Sequence, residues 1–168
     1  RRVCDQRRRR VAKCDGGNML WRWLKTSAWL VLISAALSVY GARADQMTAH
    51  WISRLADEVT RDQARDKLRD QGKLAVPQLV EALKNKNPVV RSECAFVLGR
   101  IGRAEAVPPL VKVLEDKDAE VRRKAAYALG ELADERAVDG LVKALEDEEP
   151  GVRANVCFAL GQIGVAKS

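Results

Sequence analysis

The sequence is poor in the residues that usually do chemistry. It holds one histidine, His50, in 168 residues, and His50-Trp51 matches no metal-binding or triad pattern. Metal-dependent and histidine-based catalysis are therefore not expected, and no cofactor is assigned. Aromatic residues make up only 5% of the chain, and four of them, Trp21, Trp23, Trp29 and Tyr40, crowd into its first quarter. Long hydrophobic runs are also missing. The best stretch, Ala28 to Tyr40, is broken by Ser34 and Ser38 and covers 13 residues, whereas a bilayer-crossing helix takes about 20. No cysteine follows that run before the expected cleavage point, which excludes lipid attachment there. An excess of one charge is absent from most of the chain as well. Of the formal +7, residues 1–44 carry 10 Lys/Arg against 2 Asp/Glu, while residues 45–168 carry 20 against 21. Once the leader is set aside, the case for a nucleic-acid partner goes with it.

What is present begins with an address. From Met19, Arg22 and Lys25 precede the short apolar run, and Ala42-Arg43-Ala44 supplies small residues at the two positions a signal peptidase inspects. The expectation is a Sec-type signal peptide over 19–44, cleaved after Ala44, and a periplasmic or secreted mature chain with no stable membrane span, a retained membrane anchor being the other reading. Residues 1–18, with Arg7-Arg8-Arg9-Arg10, are either translated upstream sequence or a genuine basic extension.

The body repeats itself. Residues 75–102, 106–133 and 137–164 align without gaps at a spacing of 31, and the second and third share 13 identities in 28 positions. Apolar residues fall at helical spacing in the first half of each unit: Val76, Leu79, Val80 and Leu83, then Val107, Leu110, Val111 and Leu114, then Val138, Leu141, Val142 and Leu145. Val90, Cys94, Leu98 and Ile101 repeat the pattern in the second half. Asn87-Pro88, Asp118-Ala119 and Glu149-Pro150 are helix-start signals between the halves, and Gly102 and Gly164 are expected to close second helices. Residues 47–73 read as a degenerate first unit, with Trp51, Ile52 and Leu55 as a stripe and Thr60-Arg61-Asp62-Gln63 as a capping box. A two-helix unit cannot bury its apolar face alone, so the predicted fold is all-α, an α-solenoid of about four stacked antiparallel helix pairs over 45–168.

Val90-Arg91…Leu98-Gly99, Val121-Arg122…Leu129-Gly130 and Val152-Arg153…Leu160-Gly161 resemble HEAT repeats, in particular the short type named after phycobilisome lyases. The resemblance implies an Asp–Arg ladder between adjacent repeats, here built from Arg91, Asp116, Arg122, Asp147 and Arg153, with Asn85 in the acid's place in the first unit. A structural ladder is the main reading and ligand binding the other. HEAT-like enzymes such as deoxyhypusine hydroxylase use paired His-Glu motifs, which this chain lacks. Phycobilin lyase activity rests on the family name alone, and an export signal argues against it.

Phe96, Tyr127 and Phe158 recur at one position of the second helix, projecting roughly 160° from the apolar stripe. Second helices line the concave surface of a solenoid. This row, flanked by Arg100, Arg123, Lys124, Glu131, Asn155 and Gln162, is the candidate contact surface, or else its rings pack against neighbouring repeats. Cys94 and Cys157 lie two repeats apart, roughly 20 Å at about 10 Å per helix layer, too far for a disulfide, and read as small buried residues. The expected function is an exported, non-enzymatic scaffold that binds a protein through its concave face. The alternative is an accessory or chaperone-like module of a larger HEAT protein, with self-association through the uncapped C-terminal end also open.

Overall fold

The computed structural model describes residues 42, 43 and 45–166. The apolar run of the leader and Ala44 lie outside the described residues, while Ala42 is exposed and helical. The chain divides between Arg43 and Ala44, and the second part is the repeat body.

Its helices come in pairs: α1 (45–54) with α2 (Arg61–Gln71), α3 (Val76–Ala82) with α4 (Pro88–Ile101), α5 (Val107–Val113) with α6 (Ala119–Leu132), and α7 (Val138–Ala144) with α8 (Pro150–Ala166). Among the described residues there is no strand. Short 3₁₀ turns, Gly72–Leu74, Ala104–Ala106 and Glu135–Ala137, lead into α3, α5 and α7. The apolar stripes become a continuous core in which Leu68, Leu79, Leu98, Leu110, Leu129 and Leu141 are fully buried, with Leu55 below and Trp51 and Ile52 packed against it.

Second helices lie against one another far more extensively than first helices do. Gly99 explains the closeness, because a Cβ there would stand 2.7 Å from the Ala128 Cα. Gly130 repeats the device one layer on, where a Cβ would come 3.0 Å from the Ala159 Cα. Contact is tight along α4, α6 and α8 and looser along α3, α5 and α7, as expected where second helices line the inner face of a solenoid.

The first two helix-start signals act through side-chain caps. Asn87 accepts from the Val89 N–H at 2.9 Å, and Asp118 accepts from the Glu120 and Val121 N–H groups at 3.0 and 3.2 Å. The capping box at Thr60 does not form. Thr60 has helical backbone angles, and its hydroxyl donates to the Arg54 carbonyl and the Asp57 carboxylate instead. Gly102 ends α4 in the left-handed region at φ 72°, but Gly164 ends nothing, since α8 runs on to Ala166. The corresponding stop of α6 is Ala133, held at φ 48° without glycine's freedom.

Candidate functional site

Two features recur with the repeat, one at the turns and one on the inner face. At the turns, the Arg91 guanidinium grips Asp116 of the next repeat through Nε and Nη2 at 2.8 and 2.7 Å. Arg122 grips Asp147 the same way at 2.7 and 3.0 Å. Both pairs are largely shut away from water, with side-chain exposures of 6% and 13% for the first and 9% and 8% for the second. Each Asp also accepts an N–H two residues on, from Asp118 and from Glu149. Burial works to raise the Asp116 carboxyl, but its bonds from Arg91 and the Asp118 N–H prevail and hold it below its ordinary value. The Arg122 bond does the same for Asp147, against burial.

The third Nη1 donor of each arginine turns back to its own repeat. Arg91 meets the Asn85 carbonyl, Arg122 the Asp116 carbonyl and Arg153 the Asp147 carbonyl, each six residues earlier. Arg153 keeps this bond, yet among the described residues no carboxylate reaches it as an ion pair. Arg61 belongs to the series too, since its Nε donates to the Leu55 carbonyl six residues back. Its spacing from Arg91 is 30 rather than 31, which hid it from the repeat alignment.

On the inner face, Phe96, Tyr127 and Phe158 stack in one ribbon. Adjacent ring centroids are 5.9 and 5.8 Å apart, with interplanar angles of 19° and 8°. The rings therefore pack against neighbouring repeats, and they also remain partly exposed: Phe96 and Tyr127 are half-buried and Phe158 is 39% exposed. Arg65, one repeat before Phe96, continues the ribbon by lying over that ring at 5.1 Å. Burial and the nearby Glu131 raise the Tyr127 hydroxyl above its ordinary value, and Arg100 lies on the same hydroxyl.

Beneath the ribbon sits Glu93, which the sequence reading passed over. It is 2% exposed and clamped by Arg65 through Nε and Nη2 at 2.6 and 2.8 Å and by Lys124 through Nζ at 2.5 Å, tying three repeats together. Desolvation would raise its carboxyl, but the two cations hold it below the usual range. A signal was available: Glu93 and Lys124 occupy one repeat position, 31 apart, with opposite charge.

The remaining expected surface residues divide by engagement. Lys124 is committed to Glu93, Asn155 donates to the Arg123 carbonyl at 2.9 Å, and Arg123 pairs with Glu120 at the solvent edge. Arg100, Glu131 and Gln162 are exposed. A cleft of about 380 Å³ opens between α2 and α4, lined by Asp62, Arg65, Asp66, Arg69, Phe96, Val97 and Arg100. His50 meets Trp51 edge to face at 5.2 Å. Among the described residues no three of His, Cys, Asp and Glu are grouped to hold a metal ion, and no helix is long and apolar enough to cross a membrane.

The cysteines separate. Cys94 is buried, and desolvation pushes its thiol up to about 12, which keeps it unreactive. Cys157 is exposed, contrary to the expectation of a buried residue. Its counterparts Ala95 and Ala126 are fully buried, whereas Val142 and Leu145 are exposed as Cys157 is.

The family model described as HEAT repeats matches residues 76–161. Among solved structures, human deoxyhypusine hydroxylase in complex with glycerol is similar at 29% identity and a TM-score of 0.59, over 70% of this chain and 43% of that one. The complex of CpcE and CpcF of phycocyanin lyase from Nostoc is similar at 23% identity and a TM-score of 0.65, over 70% of this chain and 78% of that one. The chain thus spans less than half the length of the hydroxylase it matches. No curated protein sequence matches it.

Proposed function

We propose that this chain, which belongs to the HEAT-repeat family, is an exported scaffold that holds a protein partner on its inner, second-helix face and catalyses no reaction itself. The observation that carries the reading is the ribbon of Phe96, Tyr127 and Phe158. Its rings stack on one another and are still partly exposed along a line crossing three repeats. Aromatic anchors of that kind, rigid and already ordered, lose little entropy when a partner covers them. The leader pattern over 19–44 supports export to the periplasm or the extracellular space, with cleavage after Ala44.

A second reading is favoured by apolar side chains exposed on α7 and its C-cap, where Val142 is 50% and Leu145 37% exposed. It makes the chain an accessory module that docks end-on against another helical protein or another copy.

Capture from the exported fraction with the full chain separates the two. Loss of the captured protein with Phe158→Ala and retention with Val142→Ser supports the inner face, and the reverse supports end-on docking. N-terminal sequencing of the exported protein tests the leader, and a chain that keeps residues 20–44 would remove that part of the reading.

A further inference from the structure

Resting on that reading of the inner face, we propose that the cleft between α2 and α4 receives an acidic stretch of the partner polypeptide, with Arg69 and Arg100 taking its carboxylates. The inner face is not electrostatically uniform along its length. One repeat position reads Arg69, Arg100, Glu131 and Gln162 from one end to the other, so two cations are followed by an anion and a neutral amide. The two cations of this row line the cleft, beside Asp62 and Asp66.

Within that cleft the acids already have their own partners. Asp62 pairs with Arg65 at 2.8 Å and Asp66 with Arg69 at 3.2 Å, both within a turn of α2 and both in contact with water. Exposed pairs of this type are held weakly and exchange readily for a better-placed carboxylate. Arg100 is exposed and, among the described residues, has no carboxylate at ion-pair distance; its neighbour is the Tyr127 hydroxyl. The ribbon adds to the same field. Arg65 lies over the Phe96 ring at 5.1 Å and Lys124 at 5.9 Å, so cations already flank the ring that lines the cleft. Val97 and Phe96 supply the apolar floor.

An acidic peptide fits these groups better than a nucleic acid does. The body carries 20 Lys/Arg against 21 Asp/Glu, and Asp62, Asp66 and Glu131 share this face, so a continuous phosphate backbone would meet repulsion along most of its path. A peptide needs the cations only where its acids lie, and alternate residues of an extended strand, roughly 6.6–6.8 Å apart, can turn to the groove together.

The test uses the full chain and three fluorescein-labelled hexapeptides of alternating residues, leucine with glutamate, leucine with glutamine and leucine with lysine, read by fluorescence anisotropy. Saturable binding of the glutamate peptide is expected, weakened at least about tenfold by Arg100→Glu, less by Arg69→Ala, and tightened by Glu131→Gln. Thermal melts of Arg100→Glu should match the parent, since the side chain is exposed. Absence of saturable glutamate-peptide binding, equal binding of the lysine peptide, indifference to Arg100→Glu, or preference for a single-stranded oligonucleotide would each overturn the proposal. Equal binding of the glutamine and glutamate peptides, both abolished by Phe158→Ala, would overturn the acidic preference while leaving the inner face as the binding surface.

Discussion

The ladder at the turns and the ribbon on the inner face recur with the same 31-residue period, and they differ in what surrounds them. Asp147 and Arg122 meet inside the stack at 8% and 9% exposure and have every charge answered. The ribbon is built from weaker contacts, ring on ring, and ends at Phe158 with 39% of its surface in water. Periodicity marks both as designed into the repeat, but only burial separates a part that holds repeats together from a part that is left available. A buried ion pair adds little net stability, yet breaking it is costly because one charge is stranded. A half-exposed ring loses only its stacking when removed and is still free to be covered by something else.

The sharpest way to break this contrast is Arg122→Ala, which leaves Asp147 buried with only the Glu149 N–H. A loss of about 3–5 kcal/mol is expected in urea or thermal unfolding, and Arg122→Ala with Asp147→Ala should recover part of it. Tyr127→Ala comes next, since it removes two stacked contacts of about 0.5–1.5 kcal/mol each and should cost about 1–3 kcal/mol. A loss as large as that of Arg122→Ala would move the ribbon into the core and erase the difference between the regions.

Acid should act on the buried carboxylates, two in the ladder and Glu93 beneath the ribbon. Asp116, Asp147 and Glu93 all have folded pKa values below their ordinary ones. Their contribution is therefore fully present above the unfolded carboxyl range and is lost as pH falls through the lowered folded values. Melts from about pH 6 to about pH 3 should decline in the parent and decline less in Arg122→Ala, whose Asp147 has lost the partner that lowers it. The smallest effect concerns neither region and calibrates the measurement: Ala133→Gly relieves a left-handed residue at φ 48° and should stabilise by about 0.5–1 kcal/mol.

Much of this arrangement was legible because the repeat shows its own core. Leu79, Leu110 and Leu141 stand at one position and are all fully buried, and the helical spacing around them placed the pairs. The ladder partners were legible through the family resemblance, which brought the Asp and Arg columns together across repeats. Three features escaped for physical reasons. Glu93 looks like a surface residue in the sequence, since only the three-dimensional approach of Arg65 and Lys124 makes its burial affordable. Thr60 has the letters of a capping box, but the preceding turn draws its hydroxyl to Arg54 and Asp57. The ring positions allowed either packing or display, and the ribbon does both because Gly99 and Gly130 let second helices approach closely enough for rings to stack at 5.8–5.9 Å while Phe158 stays partly exposed.

The most direct test of the central claim measures the affinity of the captured partner for the parent, Phe158→Ala and Arg122→Ala, at a temperature where circular dichroism shows all three folded. The account predicts that Phe158→Ala loses about tenfold or more in affinity with little change in melting midpoint, while Arg122→Ala binds within about twofold of the parent despite its lower stability. Full affinity in Phe158→Ala together with lost binding in folded Arg122→Ala would contradict it.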